Sequence, residues 1–156
     1  MKIYWDLDGV LRDLSKIVFG KDPTEWGAKT DDRLSIFDAI RKDPRLLIDA
    51  PTTEYLPVAL KQKSVHILTC QPDNWKTLTE LWIATHLKDI DVLITFSETS
   101  QGKLAMLEGG DYLIEDYPLF SDYKNIILID RAYNRNVNAP IRVHTPEQLE
   151  RIIDER

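Results

Sequence analysis

The sequence has a single cysteine, Cys70, and no long apolar segment. One cysteine cannot form an internal disulfide or a multi-cysteine zinc site, and such scarcity is typical of a reducing compartment. No apolar run approaches the roughly 18 residues that a membrane-spanning helix needs. The segment Met1 to Trp5 leads directly into acidic residues and lacks the apolar region of a signal peptide. We therefore expect a soluble, cytoplasmic protein that does not bind membranes.

Excess positive charge is also missing, since 26 acidic side chains stand against 20 basic ones and the formal net charge is −6. Such a chain has no overall field that attracts duplex nucleic acid, so we expect no duplex nucleic acid among its partners. Repeats and low-complexity tracts are absent as well. The 156 residues, 43% of them hydrophobic, suffice for one domain with a sizeable core, and a homodimer stays open.

Short apolar segments that end in polar residues alternate with helical patterns along the chain. These segments are Ile3–Trp5, Val65–Leu68, Val92–Ile94, Tyr112–Ile114 and Ile126–Ile129. Such an alternation is typical of a parallel sheet that is covered on both faces. We predict an α/β fold with a three-layer, Rossmann-like, mostly parallel sheet. Ligands bind such sheets beyond the carboxyl ends of the strands, where Asp6, Thr69 and Glu115-Asp116 would lie.

Capping residues indicate where the helices begin and end. Asp73 predicts the start of a helix that runs to about His86, and Gly109 ends a second helix over residues 103–108. Thr145 and the following proline predict the start of a last helix. About 57 residues separate the first two predicted strands, far more than a usual connection. Three short helices are predicted there, over residues 13–19, 32–41 and 53–62. We interpret residues 15–51 as a small helical cap inserted after the first strand, with residues 1–14 and 52–156 forming the core domain.

Two acidic motifs follow predicted strands. In Asp6-Leu7-Asp8-Gly9 the alternation of an extended chain puts Asp6 and Asp8 on one side, and Gly9 allows a sharp exit. Adjacent carboxylates repel each other, so one of them is protonated or a cation lies between them. If Glu115-Asp116 lies nearby, the cluster predicts a hard cation such as Mg²⁺. The alternatives are a helix cap with its turn and a solvated loop, because short acidic motifs recur freely.

Two further residues are candidates for binding an anion. The hydroxyl of Thr69 and the backbone N–H groups that follow it could hold phosphate oxygens, although Thr69 could equally be a simple strand former. Lys103 stands at the predicted start of a short helix, where a cation is unfavourable beside the positive end of the helix dipole. A local anion would explain that position, and a solvated lysine is the alternative.

The order of these motifs along the chain resembles the haloacid dehalogenase superfamily of phosphohydrolases. Asp6-x-Asp8, Thr69, Lys103 and Glu115-Asp116 match its four motifs in sequence, over most of the chain. A receiver domain also uses Asp, Thr and Lys, but its lysine comes last, so we set that hypothesis aside. The segments 6–13, 68–71 and 113–118 are similar to the 5′(3′)-deoxyribonucleotidase branch, although Glu115 stands where that branch has an aspartate.

This resemblance implies a Mg²⁺-dependent phosphatase that hydrolyses a phosphate monoester, expected to be a (deoxy)nucleoside monophosphate. Asp6 would be the nucleophile that forms an aspartyl-phosphate, and Asp8 would be the general acid and base. Mg²⁺ would be held by Asp6, the backbone carbonyl of Asp8, and Asp116, with Glu115 behind them. The other implied site residues are Thr69 and Lys103 as catalytic groups, and Leu7, Cys70, Gln71, Arg12 and Trp75 as substrate contacts.

Several aromatic residues could stack on a nucleobase, which favours a nucleotide over a sugar phosphate. They are Phe19, Trp26, Phe37, Trp75 and Tyr117. Helical spacing favours a core position for Phe37 and Trp82 instead. Arg12, Lys16 and Lys21 would place positive charge at the mouth of the site, unless they are merely solvated.

Other functions remain open at this stage. The same motifs would serve a phosphatase of another metabolite or of a nucleic-acid end, a phosphotransferase, or a phosphomutase. A catalytically silent regulatory domain could share the fold, because fold does not fix function. The presence of Asp6, Asp8 and Lys103 argues against the silent domain, and the lack of a basic run argues against a nucleic-acid end.

Overall fold

A single six-stranded sheet, with every strand parallel, forms the centre of the molecule. The computed structural model describes all residues from Met1 to Arg156. The strands are β1 (Ile3–Trp5), β2 (Ser64–Cys70), β3 (Asp91–Ser97), β4 (Tyr112–Glu115), β5 (Ile126–Ile129) and β6 (Arg142–Val143). They lie side by side in the order β3-β2-β1-β4-β5-β6. The predicted α/β, Rossmann-like fold is confirmed.

Seven α-helices flank the sheet or connect its strands. They are α1 (Leu14–Phe19), α2 (Ile36–Lys42), α3 (Leu46–Asp49), α4 (Leu56–Leu60), α5 (Lys76–His86), α6 (Ser100–Ala105) and α7 (Pro146–Asp154). Short 3₁₀ helices occupy Asp73–Trp75, Pro118–Phe120 and Ala132–Asn134. None of the helices is long and apolar enough to cross a membrane.

The side chains of the central strands alternate between two buried layers. Trp5 in β1 is in register with Ile67 in β2 and Ile114 in β4, and all three belong to the larger core cluster. The neighbouring Tyr4 and Leu113 turn to a second, smaller cluster. Because successive side chains of a strand point to opposite faces, burial of both faces requires the near-continuous apolar strands seen in the sequence.

Several elements differ from the sequence prediction. Helix α6 begins three residues earlier than expected, because the Thr99 side chain accepts a hydrogen bond from the Gly102 N–H and caps it. Lys103 therefore lies inside this helix and not at its start. Strand β3 extends to Ser97, since β2 pairs with it along its whole length. Strand β6 was not predicted, because two residues are too short to show a pattern.

Residues 15–51 contribute α2, α3 and most of α1, which pack around a small apolar cluster of their own. This cluster includes Leu14, Ile40 and Leu47, together with Trp75 from the chain before α5. The Trp82 indole N–H in α5 donates to the carbonyl of Ala50 at 2.8 Å. The segment is thus fixed against α5 at one side of the sheet, and its treatment as a separate cap stays a prediction.

Candidate active site

The site lies where the order of the strands reverses, between β1 and β4. From β1 the chain proceeds outward to β2 and β3, and it then returns to the other side of β1 as β4. Open α/β sheets bind ligands in the crevice outside the carboxyl ends at such a switch point. The backbone N–H of Asp6 donates to the carbonyl of Ile114 at 2.9 Å, which holds the ends of the two strands together.

Three buried carboxylates meet in this crevice beside one buried lysine. The candidate ligand oxygens of Asp6, Glu115 and Asp116 all lie within 4.8 Å of one another. The Lys103 ammonium lies 2.9 Å from Asp6 Oδ1 and donates to Glu115 Oε2 at 2.7 Å. We call these four residues the acidic floor. If all four groups are ionised, one positive charge faces three negative ones.

Burial and mutual repulsion shift the pKa of every carboxyl in the acidic floor upward. Burial and the neighbouring Glu115 raise the pKa of Asp6 well above its usual value, and Lys103 opposes this shift. Burial and Asp6 raise the pKa of Asp116 to about 6. Burial alone would lower the pKa of Lys103, but Asp6 and Glu115 outweigh burial and raise it. The negative charge of the three carboxylates thus exceeds the positive charge of Lys103, and this excess favours a bound cation.

Asp116 is held from the far side by the residues that follow β5. The Tyr133 hydroxyl donates to Asp116 Oδ2, and the Asn134 side-chain amide donates to the Asp116 carbonyl at 2.8 Å. Gly9 passes close to this pair with φ +84°, and a Cβ atom there would overlap the Asp116 carboxylate. A glycine is therefore required at this position for both its conformation and its small size.

Asp8 lies outside the acidic floor and is held by Arg12. The Arg12 Nε is 2.6 Å from Asp8 Oδ1, and Nη2 donates to Oδ2 at 3.1 Å. The Arg12 side chain is fully buried and does not line the cavity. The prediction that Arg12 places positive charge at the mouth is therefore wrong, since its guanidinium is occupied inside the protein. Lys16 and Lys21 are exposed, and neither lines the cavity.

Some residues at the end of β2 line the cavity, and others contact the residues that line it. Thr69 and Cys70 line the cavity, although Thr69 lies within the strand and not after it. The Gln71 amide N–H donates to Asp8 Oδ2 at 3.2 Å, and Gln71 is not a lining residue. The Leu7 side chain is fully buried in the larger core cluster, as the alternation around Asp6 predicts.

A cavity of about 400 Å³ opens above the acidic floor. Its walls include the predicted aromatic residues, which we call the aromatic rim: Phe19, Trp26, Phe37, Trp75 and Tyr117. Trp26 lies 4.9 Å from Tyr117, centroid to centroid, and Phe37 stacks on Trp75 at 5.1 Å. Phe37 is 55% exposed, so its assignment to the core is wrong, whereas Trp82 is fully buried as expected.

Tyr133 and Asn134 were not predicted as site residues, because their function depends on contact with a different strand. Tyr133 also meets Trp26 edge-on at 5.4 Å and so connects the acidic floor to the aromatic rim. Their position directly after a buried strand, β5, is the sequence feature that could have identified them.

No protein-family model matches this chain, and no curated protein matches it. The arrangement of the side chains is therefore the basis for any functional argument. It combines clustered oxygen ligands, a buried lysine and a second acid at the edge of a partly apolar cavity.

Proposed function

We propose that this protein is a Mg²⁺-dependent phosphatase that hydrolyses a phosphate monoester through an aspartyl-phosphate on Asp6. The observation that supports it best is the meeting of Asp6, Lys103 and Asp116 at the switch point of the sheet, below a cavity that Asp8 also lines. A nucleophile, a cation for the phosphate, a metal ligand and an acid–base group are the components that phosphoryl transfer to a carboxylate needs.

The donor set fits a hard divalent cation. Carboxylate and carbonyl oxygens are the ligands that Mg²⁺ prefers, and the excess of buried negative charge favours its binding. Asp6, Asp116 and the backbone carbonyl of Asp8 would hold the ion, while Glu115 stays on Lys103. Bound Mg²⁺ would neutralise the charge that accumulates around the transferring phosphoryl group.

In the first step an Asp6 carboxylate oxygen attacks phosphorus. The bond from phosphorus to the ester oxygen breaks, and Asp8 gives its proton to the departing oxygen. Lys103 favours the ionised form of Asp6 for this attack, against the effects of burial and Glu115 on the Asp6 pKa. In the second step Asp8 takes a proton from water, the resulting hydroxide attacks phosphorus, and the Asp6–phosphorus bond breaks to release inorganic phosphate.

The rest of the cavity suits a phosphate attached to a flat, apolar group. The Thr69 hydroxyl and the Cys70 backbone would contact phosphate oxygens beside Lys103, since all three residues line the same cavity. The aromatic rim supplies flat faces, and each stacked base contributes about 1–3 kcal/mol. We therefore propose a nucleoside monophosphate as the substrate.

The direct test is hydrolysis of p-nitrophenyl phosphate and a panel of nucleoside monophosphates by the purified protein with Mg²⁺. Asp6→Asn and excess EDTA should each abolish activity. Asp73→Asn is the matched control, because that carboxylate is on the surface, with 94% of its side chain exposed, and should leave activity unchanged. Activity that persists in Asp6→Asn or in EDTA would contradict the mechanism.

A further inference from the structure

Arg12 makes a two-point contact with one residue that faces the cavity. The two-point pairing with Asp8 uses Nε and Nη2, at 2.6 and 3.1 Å. The remaining nitrogen, Nη1, donates at 3.1 Å both to the Leu47 carbonyl and to the Thr79 hydroxyl. The guanidinium is thus shared between the loop after β1, helix α3 and helix α5.

Gln71 and Thr79 complete a closed ring of hydrogen bonds with Arg12 and Asp8. The Gln71 amide N–H donates to Asp8 Oδ2 at 3.2 Å, and its oxygen accepts from the Thr79 hydroxyl at 2.7 Å. Both residues are buried, and neither lines the cavity. The Asp8 side chain, by contrast, is 25% exposed and lines it. The ring is therefore buried everywhere except at the carboxylate that it holds.

We propose that Arg12 is a positioning residue for proton transfer: with Gln71 and Thr79 it fixes the orientation of the Asp8 carboxylate toward the leaving group. This inference rests on the proposed function, because it takes Asp8 as the proton donor. It also replaces the expectation that Arg12 binds substrate, since the guanidinium does not reach the cavity.

Geometry explains why an arginine is needed for this task. A planar guanidinium contacts both oxygens of a carboxylate at once and so restrains the torsion angles of the side chain, whereas an ammonium acts as a point charge. A buried cation is also costly unless all its donors are paired, and the contacts to Leu47 and Thr79 supply that pairing. Arg12→Lys would keep the charge and lose the two-point contact.

The test compares two esters that differ in their need for a proton. The leaving group of p-nitrophenyl phosphate departs without protonation, whereas the 5′-oxygen of a nucleoside monophosphate must receive a proton. General acid catalysis contributes about 100-fold or more, so Arg12→Lys should lower kcat/KM for the nucleotide about 100-fold. For p-nitrophenyl phosphate kcat/KM reflects only the formation of the aspartyl-phosphate, so it should fall less than about fivefold in Arg12→Lys and in Asp8→Asn. The kcat of Asp8→Asn should fall on both esters, because the second step needs Asp8 as the base. Arg41→Lys, at an exposed arginine, is the matched control and should change neither value.

If Arg12→Lys lowers kcat/KM equally for both esters, or for neither, the positioning role is overturned. If Arg12→Lys does not fold, Thr79→Val decides the matter, because it removes one supporting hydroxyl without a change of charge. It should lower kcat/KM for the nucleotide about fivefold and leave p-nitrophenyl phosphate unchanged, and any other pattern rejects the proposal. A wild-type protein that hydrolyses neither ester would instead reject the proposed function itself.

Discussion

The acidic floor and the aromatic rim are built on opposite principles, although they border the same cavity. In the floor, Asp6, Glu115 and Lys103 are buried and joined by contacts of 2.7–2.9 Å. In the rim, Trp26 and Phe37 are more than half exposed and touch their neighbours only through ring faces and edges. Burial makes charged contacts strong and their loss costly, whereas exposed rings can change with little effect on the fold.

Under the proposed function, one end of the cavity would carry out the chemistry and the other would select the substrate. The acidic floor comes from the ends of β1 and β4 and from α6, so the sheet determines its geometry. The aromatic rim comes mainly from residues 15–51 and from loops, which tolerate substitution better. We therefore expect variants of the floor to lose activity on every substrate, and variants of the rim to lose affinity for particular substrates.

The largest effect should come from the only lysine of the floor. Lys103→Met removes the positive charge that favours ionised Asp6 and would face the phosphate, so we expect kcat on every substrate to fall about 1000-fold or more. Steady-state hydrolysis of p-nitrophenyl phosphate measures this loss. Lys61→Met is the control, because Lys61 forms only an exposed ion pair with Glu150. Near-normal activity in Lys103→Met would show that the acidic floor does not take part in the reaction.

A methyl group at Gly9 should damage the floor through packing. Gly9→Ala places a Cβ against the Asp116 carboxylate at a backbone conformation with φ +84°, so we expect a destabilisation of about 2–4 kcal/mol. Gly20→Ala is the matched control, since φ is +80° there and nothing lies within 4 Å. It should cost only the conformational strain, about 1 kcal/mol. Urea unfolding measures both values, and equal losses would show that the contact with Asp116 is unimportant.

The pH dependence of stability should identify the excess charge of the floor. The pKa of Asp116 in the folded protein is about 6, above the ordinary 3.8, so the folded state favours the protonated carboxyl. The stability that protonated Asp116 contributes to the folded state is fully present below about pH 4, and it is lost as the pH rises through about 6. The Asp116→Asn variant has no carboxyl to ionise at this position, so its stability does not fall in this way.

In EDTA, Asp116→Asn should therefore become more stable relative to wild type between pH 4 and pH 7, by on the order of 2 kcal/mol. Unfolding by urea at several pH values measures the difference. Excess Mg²⁺ is the control: it should stabilise wild type more than the variant at pH 7 and so reduce the difference. A difference that does not change with pH would contradict the excess of negative charge.

The smallest effect should come from the rim. Trp26→Ala should raise KM for a nucleoside monophosphate about tenfold, which corresponds to one lost stacking contact. The kcat for p-nitrophenyl phosphate should not change, because the ring contacts of Trp26 are with Tyr117 and Tyr133, which are not part of the acidic floor. Leu119→Ala, at an exposed apolar residue outside the cavity, serves as the control. An equal rise of KM for both substrates would assign Trp26 to the phosphate site.

Local patterns in the sequence were enough to predict the sheet and the acids at its edge. Apolar strands buried on both faces leave a local pattern, and polar residues directly after them must lie at the carboxyl edge. Asp6 and Glu115-Asp116 could therefore be placed at the same edge of the sheet, whereas their closeness follows from the pairing of β1 with β4. The family resemblance that guided their assignment to phosphate chemistry stays a prediction, as does the cap boundary.

Which side chains face the cavity and which support them from behind could not be predicted, because it depends on the packing of distant elements. Arg12 looked like a surface cation and is buried against Asp8, while Phe37 has the spacing of a core residue and is exposed. Tyr133, in the short 3₁₀ helix after β5, donates to Asp116, which follows β4. Local patterns report the periodicity of one element, but the partner of a side chain depends on how distant elements pack. That physical difference separates what could be predicted here from what had to be seen.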